Sequence, residues 1–437
     1  MKTGINIHEI LGRHMLTDGM DLIMDLDRSH GSWIVDQRDG TEYLDLHSMY
    51  ASQAVGYNHP KMLEISDELA RAAIQKPICS VFYTEQMAGF MEVFERVAMP
   101  VHLPHAFFIE GGALAVENGL KAAFDWKSRS NLIFGRGDVP GDMILHFKEA
   151  FHGRSGYTLS LTNTYNPDKT KFFPKFNWPR IDNPKLRFPV DPAEVQRVSE
   201  TEAKALDQIK QAIHQYRDRI AGLIIEPIQS EGGDNHFRPE FMQALRDLCS
   251  ENRIIFILDE VQTGIGLTGR FWAYEHHGVQ PDIISFGKKT QVCGVLAGAI
   301  MDEVQDNVFQ RSMRIGSTFG GNLVDMARCK RILEIIESER LVDAAERQGT
   351  YLLEKLQDLG SRFSDSISNV RGQGLLCAFD LTDSEHQKRF VEQCTRARVL
   401  ILGCGPKSIR FRPHLNISTA EIDHGMKVMT DVLADMA

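Results

Sequence analysis

Apolar and polar positions follow two rhythms along this chain. Near the N-terminus, short apolar runs are broken by turn residues: DLIMDL, then GSWIVDQRDGTEYLDL. There Arg38-Asp39-Gly40 separates two strand-like runs and predicts a small β-hairpin. From about residue 65 short, nearly unbroken apolar runs take over: AFFIE (106–110), MILHF (143–147), GLIIEP (222–227), IIFILD (254–259), DIISF (282–286) and LAGAIM (296–301). Each is a strand candidate. Amphipathic helical stretches, such as LAVENGLKAAFDWKSR and ALDQIKQAIHQYRDRI, lie between several of them. Strands apolar on both faces and separated by helices predict an α/β fold, with a mainly parallel sheet covered on both sides. After about Asn322 one long helical run, LVDMARCKRILEIIESERL, leads into a mixed C-terminal segment. The expected division is a large α/β domain over 66–324 and a smaller α+β domain built from 1–65 and 325–437.

Composition narrows the class. The 437 residues are 43% hydrophobic and 25% charged, ordinary for a globular protein. A net charge of -10 argues against nucleic acid or an anionic membrane as the main partner. The seven cysteines include no CxxC pair, so neither a zinc site nor a disulfide framework is expected, and the odd count fits a reducing compartment. MKTGINIHEILGRHM has no apolar leader core, and no apolar run approaches membrane-spanning length. The expectation is a cytoplasmic enzyme.

The chemistry concentrates at predicted strand ends. Asp259 closes IIFILD, and a lysine pair, Lys288 and Lys289, follows DIISF. A lysine to hold an aldehyde and a carboxylate to hold a pyridinium nitrogen are what a Schiff-base cofactor site needs. The working lysine should be partly desolvated and its neighbour a surface charge; spacing alone does not decide which is which. Gln262 stands where it could donate to a ring oxygen. FFIEGGALAVEN runs a strand into Gly111-Gly112-Ala113 and then a helix, a turn that exposes helix N-terminal amides to a phosphate. FHGRS adds Phe151 to cover a ring face and Arg154 to grip a carboxylate. Arg410 in SIRFRPHL is a second carboxylate-binding candidate, with Arg412 beside it as the solvent-facing partner. GIGLTG (264–269) matches a dinucleotide fingerprint, but EVQT separates its first glycine from the strand end, so a glycine-rich loop is the reading. A nicotinamide-dependent dehydrogenase is the remote alternative. His276-His277 reads as a helix-end pair, and no metal site is expected.

In order, GGALAVEN, FHGRS, EPIQSEGG, ILDEVQTG, PDIISFGKK and STFGGN resemble the class III aminotransferases, fold-type I enzymes that use pyridoxal 5'-phosphate. Longer strings, among them AFHGRSGYTLSLTNT, FPKFNWPRID and FGKKTQVCGVLAG, are similar to the subgroup of L-lysine 6-aminotransferases. The resemblance implies a seven-stranded large domain and a homodimer with shared active sites. It makes Lys288 the Schiff-base lysine and Lys289 the bystander. It gives the phosphate to the Gly112 and Ala113 amides and, from the partner subunit, to Thr318 of STFGGN, with Ser317 beside it in that cofactor-binding segment. Phe151 would stack on the ring, Asp259 would pair with its nitrogen and Gln262 would contact its phenolic oxygen. Arg154 would bind the lysine α-carboxylate, and Arg410 that of glutamate or 2-oxoglutarate. Glu231 would mask Arg410 while lysine is bound and swing aside for the dicarboxylate. The implied reaction moves the ω-amino group of L-lysine to 2-oxoglutarate by a ping-pong route. Gly316 stands directly before Ser317 where that subgroup carries asparagine, and HSMYASQAVGYNHP also departs from its pattern. These departures keep ornithine, 4-aminobutyrate, diaminobutyrate or a modified lysine open as donors.

Overall fold

The computed structural model describes residues 6–436, so residues 1–5 of the segment read for a leader lie outside the described residues. The hairpin forms where its turn predicts: β1 (Trp33–Val35) pairs antiparallel with β2 (Glu42–Asp45). The next strands are β3 (His105–Ile109), β4 (Met143–Phe147), β5 (Arg180–Ile181), β6 (Ile220–Ile225), β7 (Ile255–Asp259), β8 (Ile283–Phe286) and β9 (Cys293–Ala297). They form one sheet in the order β3-β9-β8-β7-β6-β4-β5.

The strands from β8 to β5 pair in parallel, and β9 is antiparallel to both its neighbours. A parallel return would need a long crossover, and a single tight turn joins β8 to β9. That turn also corrects the expected strand 296–301. Pairing Phe286 with Gly294 and Ile283 with Ala297 puts the strand at Cys293–Ala297, and Ala299–Glu303 becomes a 3-10 turn. Two-residue β5 was not foreseen, being too short to carry a period.

β7 shows why these runs read as unbroken apolar. Ile255 and Ile257 enter one buried cluster with Val116, Leu120 and Ala123 of the helix Gly112–Ile133. Phe256 and Leu258 point the other way, into a cluster with Phe241, Met242 and Leu245 of the helix Pro239–Glu251. Side chains alternate across a strand, so burial on both faces leaves no polar position.

The chain ends meet in the remaining sheets. β10 (Ser368–Gln373), β11 (Leu376–Asp380), β13 (Leu402–Cys404) and β14 (Ser408–Phe411) form a four-stranded antiparallel sheet, while β12 (Val399–Leu400) adds in parallel to β2. The long run after Asn322 is two helices, Leu323–Ser338 and Leu341–Arg362, interrupted where Arg340 takes a φ of 51°. Among the described residues no helix is long and apolar enough to cross a membrane.

Candidate active site

Strands β3, β4, β6, β7 and β8 run the same way, so the segments that follow them converge on one sheet edge, where open α/β sheets bind ligands. A cavity of about 310 Å³ lies there. Gly112 and Ala113 reach it after β3, Phe151 and Arg154 after β4, Asp259 and Gln262 from β7 and Lys288 after β8. Gly111 has a φ of 94°, a region closed to side chains, and the helix it opens has no side-chain cap. Its first-turn amides are therefore free for an anion.

The cavity floor is a buried polar chain. Asp259 Oδ2 lies 2.7 Å from His152 Nδ1, and the Asp259 Oδ1 accepts from the Val261 backbone amide. Burial pulls the His152 pKa down, but the Asp259 hydrogen bond and the charges of Asp259 and Glu226 together outweigh it, and the net shift is upward. Glu226, at the end of β6, accepts from the backbone amides of Phe151 and Ser230 at 3.0 and 3.1 Å. Burial, with Asp259 adding to it, pushes its carboxyl up to about 7.

Lys288 follows Gly287 in a strained turn, its own φ at 55°. Its Nζ donates to the Tyr50 carbonyl at 2.9 Å. Burial first, and then the charges of Arg410 and Arg412, lower its pKa to about 8. The expected desolvated amine is therefore present. Tyr50 sits in a run of left-handed residues, Ser48 to Ala51, with φ between 42° and 64°. None is a glycine, so this turn over Lys288 stores strain.

Two expectations need correction. Lys289 is no surface charge: it is 1% exposed, and its Nζ donates to the Gln262 carbonyl at 2.9 Å. Burial holds its pKa far below the usual lysine range. The tight turn aims the two neighbours to opposite sides, Lys288 toward the cavity and Lys289 beneath it. Arg412 is not solvent-facing either. It is buried, donates to both oxygens of Asp234 and reaches Gln262 Oε1 at 3.3 Å.

Arg410, on β14 of the four-stranded sheet, has its side chain 4% exposed and its guanidinium 3.0 Å from Glu231 Oε2. The other oxygen, Oε1, accepts from Lys169 at 2.6 Å. Burial works against the Glu231 carboxylate, yet Arg410 and Lys169 together hold its pKa below the usual range. Tyr50 packs its ring 5.8 Å from the Arg410 guanidinium. Arg154 is exposed at the cavity mouth. Ser317, Thr318 and Gly316 stand on an exposed loop and do not line this cavity. Four contributors escaped the sequence reading. Glu226 carried the same signal as Asp259, an acid closing a buried strand, whereas the contacts of His152, Lys169 and Tyr50 depend on loop paths that no period encodes.

The chain belongs to the class-III aminotransferases: the family model described as aminotransferase class-III matches residues 16–433. It is a pyridoxal-phosphate-dependent aminotransferase of fold type I. Over 430 residues it is 50% identical to the L-lysine-epsilon aminotransferase of Mycobacterium tuberculosis, covering 98% of this chain and 95% of that protein. The L-lysine-epsilon aminotransferase of Streptomyces clavuligerus is 47% identical over 99% of this chain and 95% of its own length. Among solved structures, a lysine aminotransferase from M. tuberculosis, described as the internal aldimine form, superposes with a TM-score of 0.96 over 99% of both chains at 50% identity. The residues present fit the cofactor: uncapped helix amides suit its phosphate, a buried carboxylate its pyridine nitrogen, and a depressed lysine amine its aldehyde.

Proposed function

We propose that this enzyme transfers the ω-amino group of L-lysine to 2-oxoglutarate. The products are L-glutamate and 2-aminoadipate 6-semialdehyde, which cyclises to a piperideine carboxylate. The observation that carries the proposal is the Glu231–Arg410 pair beside the cavity. One pocket must accept lysine side-chain first and a dicarboxylate backbone first. A bare Arg410 would draw the lysine α-carboxylate into the wrong pose, and Glu231 removes that attraction. Arg154, exposed at the mouth, is left to take the lysine α-carboxylate.

Bound pyridoxal phosphate would supply the electron sink for the departing proton's electron pair. Lys288 would hold the cofactor covalently and move the proton at the ω-carbon as base and then acid. Asp259, oriented by His152, would keep the pyridine nitrogen protonated, and the Phe151 ring and the Gln262 amide would orient the ring. A homodimer completes this reading, with Ser317 and Thr318 offered to the neighbouring site. In support, Phe82, Tyr83, Met313 and Phe319 expose apolar surface, and Lys76 Nζ lies 5.0 Å from the Phe319 ring. Cytoplasmic residence and the division at 65 and 324 belong to the same proposal.

The test is a donor panel with 2-oxoglutarate, following glutamate formation. Strong turnover of L-lysine with a product trapped as a cyclic imine is expected. Faster turnover of ornithine, 4-aminobutyrate, diaminobutyrate or a modified lysine would overturn the donor and leave the class standing.

A further inference from the structure

Glu231 is held by two cations, one on each oxygen. Arg410 takes Oε2 at 3.0 Å and Lys169 takes Oε1 at 2.6 Å. The surroundings of the two differ. The Arg410 side chain is 4% exposed and anchored on β14, whereas Lys169 and Glu231 are each about a quarter exposed. Lys169 ends a 3-10 turn, Pro167–Lys169, whose start is fixed by the Asn166 side chain accepting from the Asp168 amide. Its Nζ also stands 5.6 Å from the Phe151 ring, at the cavity wall. Lys171, two residues on, is engaged by Asp168 and by the Phe172 ring, so it does not duplicate Lys169.

We propose that Lys169 is a positioning residue for acceptor specificity: it holds the Glu231 carboxylate when Glu231 leaves Arg410 to admit a dicarboxylate. The proposal rests on the Glu231 gate described above. A contact shifts an equilibrium only by its difference between the two states. With the gate closed, Glu231 is shared between Arg410 and Lys169, so losing Lys169 still leaves the carboxylate paired with Arg410. With the gate open, Lys169 is the one cation left of the two that hold the carboxylate among the described residues, and without it a largely buried charge stands unpaired. Lys169 therefore stabilises the open state selectively. It assists 2-oxoglutarate and leaves the lysine half of the reaction nearly untouched.

The experiment uses the holoenzyme and glutarate, a dicarboxylate that accepts no amino group, with affinity read by calorimetry. The two half-reactions are measured alongside. Lys169→Met is expected to weaken glutarate and raise the KM for 2-oxoglutarate by about tenfold, with the lysine half-reaction within about twofold of the parent. Lys169→Arg should restore both. Glu231→Gln alone should tighten glutarate, and adding Lys169→Met to it should change nothing further, because the latch has lost its carboxylate. An equal loss on adding Lys169→Met in both backgrounds would show Lys169 touching the ligand directly and would overturn the proposal. So would equal damage to both half-reactions, the mark of a scaffold. If Glu231→Gln leaves glutarate affinity unchanged, the gate reading falls and the latch falls with it. If Glu231→Gln tightens glutarate while Lys169→Met has no effect, the latch alone fails.

Discussion

Arg410 and Arg412 stand two residues apart at the end of β14, and Glu231 and Asp234, the carboxylates that meet them, stand three apart in one loop. Arg412 places its guanidinium on both oxygens of an Asp234 that is 0% exposed, and adds the Phe411 carbonyl at 2.7 Å. Arg410 holds one oxygen of a carboxylate that is a quarter exposed and shared with Lys169. The chemistry of the two pairs is the same and their freedom is not. A pair with both oxygens on one partner and neither side chain exposed has nowhere else to go, so it belongs to the fixed floor with Lys288, His152 and Asp259. A pair that splits its oxygens between a buried cation and an accessible one has a second place to rest. Sites that must take two different substrates need both kinds side by side.

The largest effect is expected on the floor. Lys288→Ala should cut transamination by about 10³-fold or more and abolish borohydride tagging of the protein by the cofactor, with the melting temperature little changed. Lys289→Ala should keep the tag, and the reverse result would reassign the anchoring lysine. Next comes the locked pair. Asp234→Ala leaves the Arg412 charge buried without its partner, and chemical denaturation should show a loss of about 3–5 kcal/mol. A loss below about 1 kcal/mol would mean the two pairs do not differ as claimed. Glu231→Gln keeps a hydrogen-bonding amide beside Arg410 and should give a milder profile: a stability loss of about 1–2 kcal/mol, below that of Asp234→Ala, and the ratio of lysine to 2-oxoglutarate half-reaction efficiencies shifted by about tenfold toward the dicarboxylate.

The same contrast explains how much could be read from the chain alone. The floor was legible because buried strands announce themselves as apolar runs and the residues that end or closely follow them fall on the ligand edge, Asp259 as the last residue of β7 and Lys288 two residues past β8. Glu226 is equally visible in GLIIEP, as an acid that closes a buried strand. The side a lysine faces was not legible. Lys288 and Lys289 are adjacent, and only the left-handed φ of Lys288 in a tight turn sends one to the cavity and the other beneath it. Nor did SIRFRPHL say which arginine would be locked, since Asp234 and Glu231 both arrive from a loop some 180 positions earlier. The shift of β9 by three residues had a simpler cause: an apolar run marks burial, while the turn before it sets the register.

The smallest expected effect tests whether rim and floor are electrically joined. Lys288 titrates near 8 because burial disfavours its charged form and Arg410 and Arg412 repel it, while Glu231 and Asp259 act the other way. Attack on the cofactor aldehyde needs the neutral amine, and the neutral fraction grows as pH rises toward 8. Covalent capture of pyridoxal phosphate by the apoprotein should therefore speed up about fivefold from pH 7 to pH 8 and level off above, followed by stopped-flow absorbance. Glu231→Gln deletes a negative charge that favours the protonated amine, so its profile should move to lower pH and its rate at pH 7 should rise. Superimposed profiles would mean that the gate charge does not reach Lys288, and that the floor keeps its reactivity whichever substrate the rim admits.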